Sequence, residues 1–374
     1  MKIAYIAIKG LPFSGGIEQY TEQMATALVK RGHDVTIYMS KNYGNRTGTT
    51  GEGYHICALP APRNMFLEKF VLVFFASIHQ IFRNYDIVHY HALGPSIWAF
   101  IPKIQGKKVV IQSHGIEWQR SKWGRGAQQI LKLLERLSYN MGDCLTVVSK
   151  TLKAYFRTTY NKESIYIPTA IELPENVKWK ESNKELKPNQ YYLSMGRLVP
   201  EKGIHYLISA FRCLDSEKKL VIAGRFNEED TYCQELKTLA EKDSRVIFWG
   251  EVRGREKAEL LSNAYAFVLP SELEGLSIAL LEAMSYKRCC IVSDIPNNME
   301  IAEGRSIAFH SKSIESLLGP LNVAESDTQK VNELGKVAYE YVKENHQFEH
   351  IVNQMEDLYY KLNSNRRKNE NYLD

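Results

Sequence analysis

The chain has 374 residues, 44% of them hydrophobic and 24% charged, with 48 basic against 43 acidic side chains and a net charge of +5. This balance excludes a disordered chain and allows sizeable cores in two or three domains. The charge is too mild to argue for nucleic acid as a partner.

Short β-rich runs alternate with longer helical ones from the first residue onward, the pattern of a parallel sheet covered by helices. Residues 2–8 read as a buried strand rather than a signal peptide. Residues 17–31 have helical spacing (Ile17, Tyr20, Met24, Leu28), Gly32 ends them, and 34–38 is the next strand. Residues 66–82 form a strongly apolar helix, for which core packing is the plainer reading and contact with a membrane surface the other. Strands follow at 86–91 and 108–112, a helix at 128–141, and strands at 144–148 and 164–167. Residues 173–190 are polar and carry two prolines, which suits an interdomain linker. The alternation then restarts: strands at 191–195, 219–223, 246–249, 266–269 and 289–293, with helices at 203–213, 229–242, 256–263 and 277–285. Residues 331–362 are mostly helical, and 363–374 read as a frayed tail. Two α/β units of similar size imply ligand binding at the C-terminal ends of their strands, in the crevice between them.

The charge is uneven. Residues 1–180 hold 23 Lys+Arg and 12 Asp+Glu, or +11, which leaves the remainder at −6. The basic half suits an anionic membrane or an anionic acceptor, and equally a solvated basic surface. Six scattered cysteines without a CxxC read as buried thiols in a reducing compartment. The longest apolar stretch, 70–78, is about half the ~18 residues of a spanning helix. The expectation is a soluble, cytoplasmic protein, with contact at the inner face of the membrane left open.

Three stretches could carry chemistry. Gly15 and Gly16 stand where the first strand turns into a helix, so backbone N–H groups could approach a phosphate; a tight turn needing positive φ is the plainer reading. The spacing does not fit a dinucleotide fingerprint. After the first strand of the second half comes Gly196-Arg-Leu-Val-Pro-Glu-Lys-Gly203, where Arg197 and Lys202 flank one turn. Two fixed cations there suit a diphosphate, Arg as a planar fork and Lys as a point charge. The third stretch is Pro270-Ser-Glu-Leu-Glu-Gly-Leu-Ser-Ile-Ala-Leu-Leu-Glu282. Glu274 falls in the loop, Ser277 can cap the helix, and the amides of Gly275, Leu276 and Ser277 are candidate anion donors. Carboxylates accept from hydroxyls, so Glu274 and Glu282 suit a sugar and a ribose. The helix is apolar nearly all round, so Glu282 needs a partner.

Together these pieces resemble the retaining glycosyltransferases of glycosyltransferase family 4. The resemblance runs through GGIE (15–18), RGHDVTIY (31–38), DIVHYH (86–91), GRLVPEKG (196–203), VIAG (221–224), WGEV (249–252) and the E-x7-E pair Glu274 and Glu282. It implies the GT-B fold, α/β with two Rossmann-like doubly wound parallel-sheet domains facing across a cleft. Residues 1–172 would be the acceptor-side domain and 191–345 the nucleotide-sugar domain, with a helix at 346–362 packing back on the first. By the same resemblance Arg197 and Lys202 bind the donor diphosphate, Glu274 the transferring sugar, and Glu282 the ribose. Gly15 and Gly16 let backbone approach the diphosphate, and His114 lines the reaction centre. The stretch 114–125 is similar to members that transfer rhamnose, which would place Glu117, Arg120 and Lys122 toward the acceptor. The expected partners are a nucleotide-sugar donor and a glycan or lipid-linked glycan acceptor of a bacterial surface polysaccharide, with no cofactor and no metal. Thr169-Ala170 stands where the family carries Asn-Gly. A sugar-nucleotide-binding subunit without catalysis, or an epimerase on the same fold, is the alternative.

Overall fold

A computed structural model describes residues 1–11, 15–64, 67–120, 123–174, 177 and 186–370. Most of the expected linker (175, 176 and 178–185), the start of the apolar helix at Phe66, Lys122 and residues 371–374 lie outside them. The chain divides into two compact units: Met1–Ala170 together with the chain from Glu349 onward, and Ile171–Phe348.

The first unit contains β1 (Lys2–Ile6), α1 (Gly16–Lys30), β2 (Asp34–Ser40), β3 (Gly48–Thr49), β4 (His55–Leu59) and α2 (Glu68–His79). It continues with β5 (Ile87–Tyr90), α3 (Phe100–Ile104), β6 (Lys108–Ser113), α4 (Arg125–Ser138), β7 (Cys144–Val147), α5 (Lys150–Tyr160) and β8 (Ile165–Tyr166). Its sheet runs β3-β4-β2-β1-β5-β6-β7-β8, parallel except where β3 meets β4. Helices cover both faces, so β1 beyond Lys2 and all of β5 are buried, which is why their sequences are unbroken apolar runs. The first strand stops two residues earlier than its apolar run because Ala7 turns to φ +78 while fully buried. Left-handed backbone at a non-glycine residue is costly and often marks a functional loop.

The second unit contains β9 (Tyr191–Met195), α6 (Ile204–Phe211), β10 (Lys219–Ala223), α7 (Thr231–Ala240), β11 (Val246–Gly250), α8 (Gly254–Asn263) and β12 (Ala266–Leu269). Then come α9 (Ile278–Ser285), β13 (Cys289–Ser293), α10 (Pro296–Ala302), β14 (Ile307–Phe309), α11 (Ile314–Ser326) and α12 (Thr328–Asn345). The sheet is fully parallel, in the order β11-β10-β9-β12-β13-β14. Alternate residues feed two cores. Tyr192, Leu220, Ile222 and Val268 face one; Tyr191, Leu193, Val221 and Phe267 face the other.

The last helix, α13 (Phe348–Glu370), is tied into the first unit. Arg31 pairs with Glu349 at 2.6 Å and Glu356 at 2.8 Å, His33 bonds Glu356 at 2.6 Å, and Ile351, Val352 and Met355 are buried.

Two expectations need correction. Only Cys233, Cys289 and Cys290 are buried; Cys57 and Cys144 are partly exposed and Cys213 is exposed, all as free thiols. A helix this apolar is expected to be core, yet α2 buries only one side (Leu72, Val73, Ala76) and leaves Phe75 and Ile78 exposed. Among the described residues no helix is long and apolar enough to cross a membrane.

Candidate functional site

In a doubly wound sheet, ligands bind where neighbouring strands send their connections to opposite sides. In the second unit that point lies between β9 and β12. The Arg197–Lys202 turn leaves β9 and the Glu274 loop leaves β12, so strand order alone brings these two stretches together. Lys202 Nζ lies 2.5 Å from Glu274 Oε1, which also accepts from Ser271 Oγ at 2.7 Å. Both bonds go to one oxygen, and Oε2 has neither. The Glu274 side chain is 8% exposed and that of Lys202 19%, so this pair is held in a partly dry environment. Arg197 is different. Its side chain is 54% exposed and its nearest carboxylate, Glu201, is 3.9 Å away. Its guanidinium is uncommitted.

The backbone around the pair is rigid for identifiable reasons. Pro200–Lys202 form one 3-10 turn, ended by Gly203 at φ +66. A Cβ on Gly203 would lie 2.1 Å from the carbonyl oxygen of Pro270, so only glycine lets the β9 turn sit against the β12 loop. Gly224, the last residue of VIAG, comes as close to the Gly196 carbonyl, 2.2 Å for a Cβ, and Gly196 N–H donates to Ala223 O at 3.0 Å. Glu272 N–H donates to Glu201 O at 2.8 Å, joining the two loops directly. Ser277 caps α9 as expected, accepting from Leu280 N–H at 3.3 Å. Glu282 has the partner it needs, Lys257 Nζ at 2.6 Å.

Sequence reasoning did not single out Asn297, Asn298 or Ser293. Asn297 Nδ2 donates to Gly275 O at 2.7 Å, and Asn298 Nδ2 to Ser293 Oγ at 3.0 Å, so the end of β13 braces the Glu274 loop. No local pattern announces them, because their roles depend on β13 lying beside β12.

In the first unit the switch point lies between β1 and β5. Gly15 sits at φ −78 and ψ 142, backbone open to any residue, so the turn does not require a glycine there. Gly16 opens α1, which has no side-chain cap. His114 follows β6 and stacks on His91, which follows β5; His91 Nδ1 and His114 Nε2 are 3.2 Å apart. His91 stacks in turn on His89, whose Nδ1 is 2.6 Å from the Tyr359 hydroxyl. Burial holds His114 and His89 down to about 3 and His91 well below 6.5, with neighbouring imidazoles and the Lys69 ammonium adding to the effect. His114 is therefore a neutral donor or acceptor at physiological pH and not a cation for phosphate.

Glu117 and Arg120 pair with each other at 3.0 Å just beyond β6. They also act electrostatically on Lys69, whose ammonium burial pulls down while Glu18 and Glu117 hold it up. Lys69 was missed because it sits beside Glu68 at the start of an otherwise apolar helix, where the two read as a solvated end. Thr169 and Ala170, in place of Asn-Gly, are buried without positive φ, so that backbone needs no glycine. Among the described residues no group of three or more His, Cys, Asp or Glu is arranged to hold a metal ion.

The histidine stack has a measurable consequence. Bases depressed in the folded state take up protons first in the unfolded chain, so stability rises with pH between the two pKa values. The contribution of His89 and His114 is complete above about 6.5 and is lost as pH falls toward 3. Thermal melts should lose several degrees between about pH 7 and pH 5. His91→Phe removes one of the three depressed imidazoles and should make that dependence shallower while His89 and His114 keep their share; an unchanged slope would take His91 out of it.

The chain matches the model of Glycosyltransferase Family 4 over residues 14–174 and that of Glycosyl transferases group 1 over 176–341. It is 32% identical over 166 residues to the O-antigen chain mannosyltransferase of Salmonella typhimurium, a match that spans 44% of this chain and 46% of that one. It is 24% identical over 383 residues, 96% of both chains, to the UDP-Gal:alpha-D-GlcNAc-diphosphoundecaprenol alpha-1,3-galactosyltransferase of Escherichia coli. Among solved structures, sucrose-phosphate synthase from Thermosynechococcus elongatus superposes with a TM-score of 0.85 at 20% identity, covering 96% of this chain and 98% of that one. At that identity the likeness shows the fold.

Proposed function

The chain belongs to the family 4 and group 1 glycosyltransferases, and on that premise we propose that it moves a sugar from a nucleotide diphosphate sugar to a hydroxyl acceptor, with the anomeric configuration retained. The observation that carries this reading is the meeting of the uncommitted Arg197 and the Lys202–Glu274 pair at the switch point of the second sheet. The leaving group is a nucleoside diphosphate, which gains negative charge as the glycosidic bond breaks. Arg197 and Lys202 are already in place to meet that charge, so little reorganisation is needed at the moment of reaction. Glu274 Oε2 accepts from a hydroxyl of the sugar, while Oε1 stays on Lys202 and Ser271. Glu282, fixed by Lys257, accepts from the ribose.

The relatives named above act in O-antigen assembly and on a diphosphoundecaprenol-linked acceptor. We extend that to this chain as a glycan or lipid-linked glycan acceptor of a bacterial surface polysaccharide. The base and sugar differ among relatives, so donor identity is left to direct test, with rhamnose one arm of it.

Thermal shift against UDP, GDP, ADP and dTDP should single out one nucleotide by several degrees, since ligand that binds only the folded state stabilises it by mass action. Release of that nucleotide from its sugar conjugate should require an acceptor and should survive EDTA, the two cations standing where a metal would otherwise act. No release under any acceptor supports a binding subunit, and sugar conversion without an acceptor supports an epimerase; either outcome overturns transfer.

A further inference from the structure

Exposed apolar side chains are not spread evenly. Ten of the fourteen large ones among the described residues fall between Leu67 and Leu137, all in the first unit. The clearest set is on α4. Ile130, Leu133 and Leu137 are 61%, 57% and 45% exposed, and their spacing of three and four puts them in one stripe. Around them stand Arg125, Lys132 and Arg136, all exposed.

This stripe is not a core face turned the wrong way. The opposite side of α4 is firmly seated. Glu135 is buried and accepts from the hydroxyls of Tyr155 at 2.6 Å and Tyr160 at 2.9 Å, and Ser138 Oγ donates to Gly94 O at 3.1 Å. The only acid of the helix is therefore turned inward, and its outer face shows apolar and cationic groups together with the neutral amide of Gln129. Beside the stripe, Lys132 and Arg136 line a groove of about 600 Å³ whose far wall is Thr158, Thr159 and Asn161. The surrounding sequence, 100–162, has 12 Lys+Arg against three Asp+Glu, of which Glu135 is buried and Asp143 accepts from Val109 N–H at 2.7 Å.

We propose that this face of α4 docks on an anionic lipid bilayer, with Ile130, Leu133 and Leu137 entering the interface and Lys132 and Arg136 holding headgroup phosphates at the groove. An apolar stripe edged by cations is what binds in the plane of a membrane surface, through buried area and attraction to anionic lipid together. A second copy of the chain is a poorer occupant. A two-fold contact through this face would set Arg125, Lys132 and Arg136 against their own images. The binding face is separate from the residues assigned to the sugar donor, so it stands or falls independently of the reaction.

Flotation of the full chain tests it, with vesicles of phosphatidylcholine alone and with about a third phosphatidylglycerol. The protein should float with the anionic vesicles, not the neutral ones, and high salt should weaken the association. Ile130→Ser/Leu133→Ser/Leu137→Ser and Lys132→Glu/Arg136→Glu should each cut the partition coefficient about tenfold or more. Both variants should keep the parent's melting temperature and nucleotide thermal shift. Leu133→Trp should show blue-shifted emission on anionic vesicles only. Absence of flotation, or variants that float as well as the parent, overturns the proposal. So does a dimer in sedimentation that the triple serine variant abolishes, since a second copy would then cover the stripe.

Discussion

Arg197→Ala lowers sugar transfer by about a hundredfold to a thousandfold, and Lys202→Ala by at least as much, the loss typical for removing one preorganised group that meets developing charge. The two variants differ in what else they disturb. Arg197 is more than half exposed, and the carboxylate it pairs with, Glu201, is 3.9 Å away. Its removal should leave the melting temperature unchanged, so an activity loss there is a loss of charge at the reaction. Lys202 is the cation on Glu274, and its removal leaves a carboxylate at 8% exposure with Ser271 alone. Some stability goes with it, because an uncompensated charge is left partly buried. Lys202→Arg keeps the charge but not the compact geometry of an ammonium beside Oε1, and should recover stability more fully than activity. Initial-rate assays beside thermal melts separate these effects. Full activity in Arg197→Ala would remove the diphosphate assignment.

Gly203→Ala should cost about 2–4 kcal/mol of stability and most of the activity, although the added group is one methyl. Its Cβ would be placed 2.1 Å from Pro270 O, backbone against backbone, in a residue held at φ +66. Neither side can yield by a rotamer change, so the β9 turn and the β12 loop must part. Lys202 is the neighbouring residue and Glu274 lies four residues beyond Pro270, so the separation falls directly on their 2.5 Å contact. Gly250→Ala is the control. Gly250 has φ +89 but nothing within 4 Å of a Cβ, so only the conformational strain of about 1 kcal/mol applies. Urea unfolding of the two variants should show that difference. Equal costs would mean that close approach plays no part at Gly203.

Much of this was legible because the second unit is built from local signals. β9, β10, β12 and β13 fall where apolar runs of the right length stand between turns, and the cap at Ser277 follows from its place before an apolar helix. The residues flanking those strands carried chemistry that residue type alone suggests: a guanidinium, an ammonium, two carboxylates. What sequence could not give was adjacency. That Lys202 touches Glu274 depends on β9 and β12 being neighbours, and that Asn297 braces Gly275 depends on β13 being next in line. The first unit was harder. β3 is two residues long at the sheet's edge, β4 beside it shows only alternating burial, and β1 ends early through a backbone turn at Ala7 that no residue pattern marks. Apolar content alone misjudged α2, whose one outward side stays exposed. The stack of His89, His91 and His114 joins two strands and was visible only as separate letters. α4 was read as an ordinary helix, because exposure of its stripe is settled by which face Glu135 and Ser138 anchor.

A structure of the protein with an intact nucleotide diphosphate sugar tests the assignment of the donor site most directly. The expected result is a diphosphate within hydrogen-bond distance of both the Arg197 guanidinium and the Lys202 ammonium, with a sugar hydroxyl on Glu274. A diphosphate seated elsewhere in the chain, with both side chains turned to water, would contradict it.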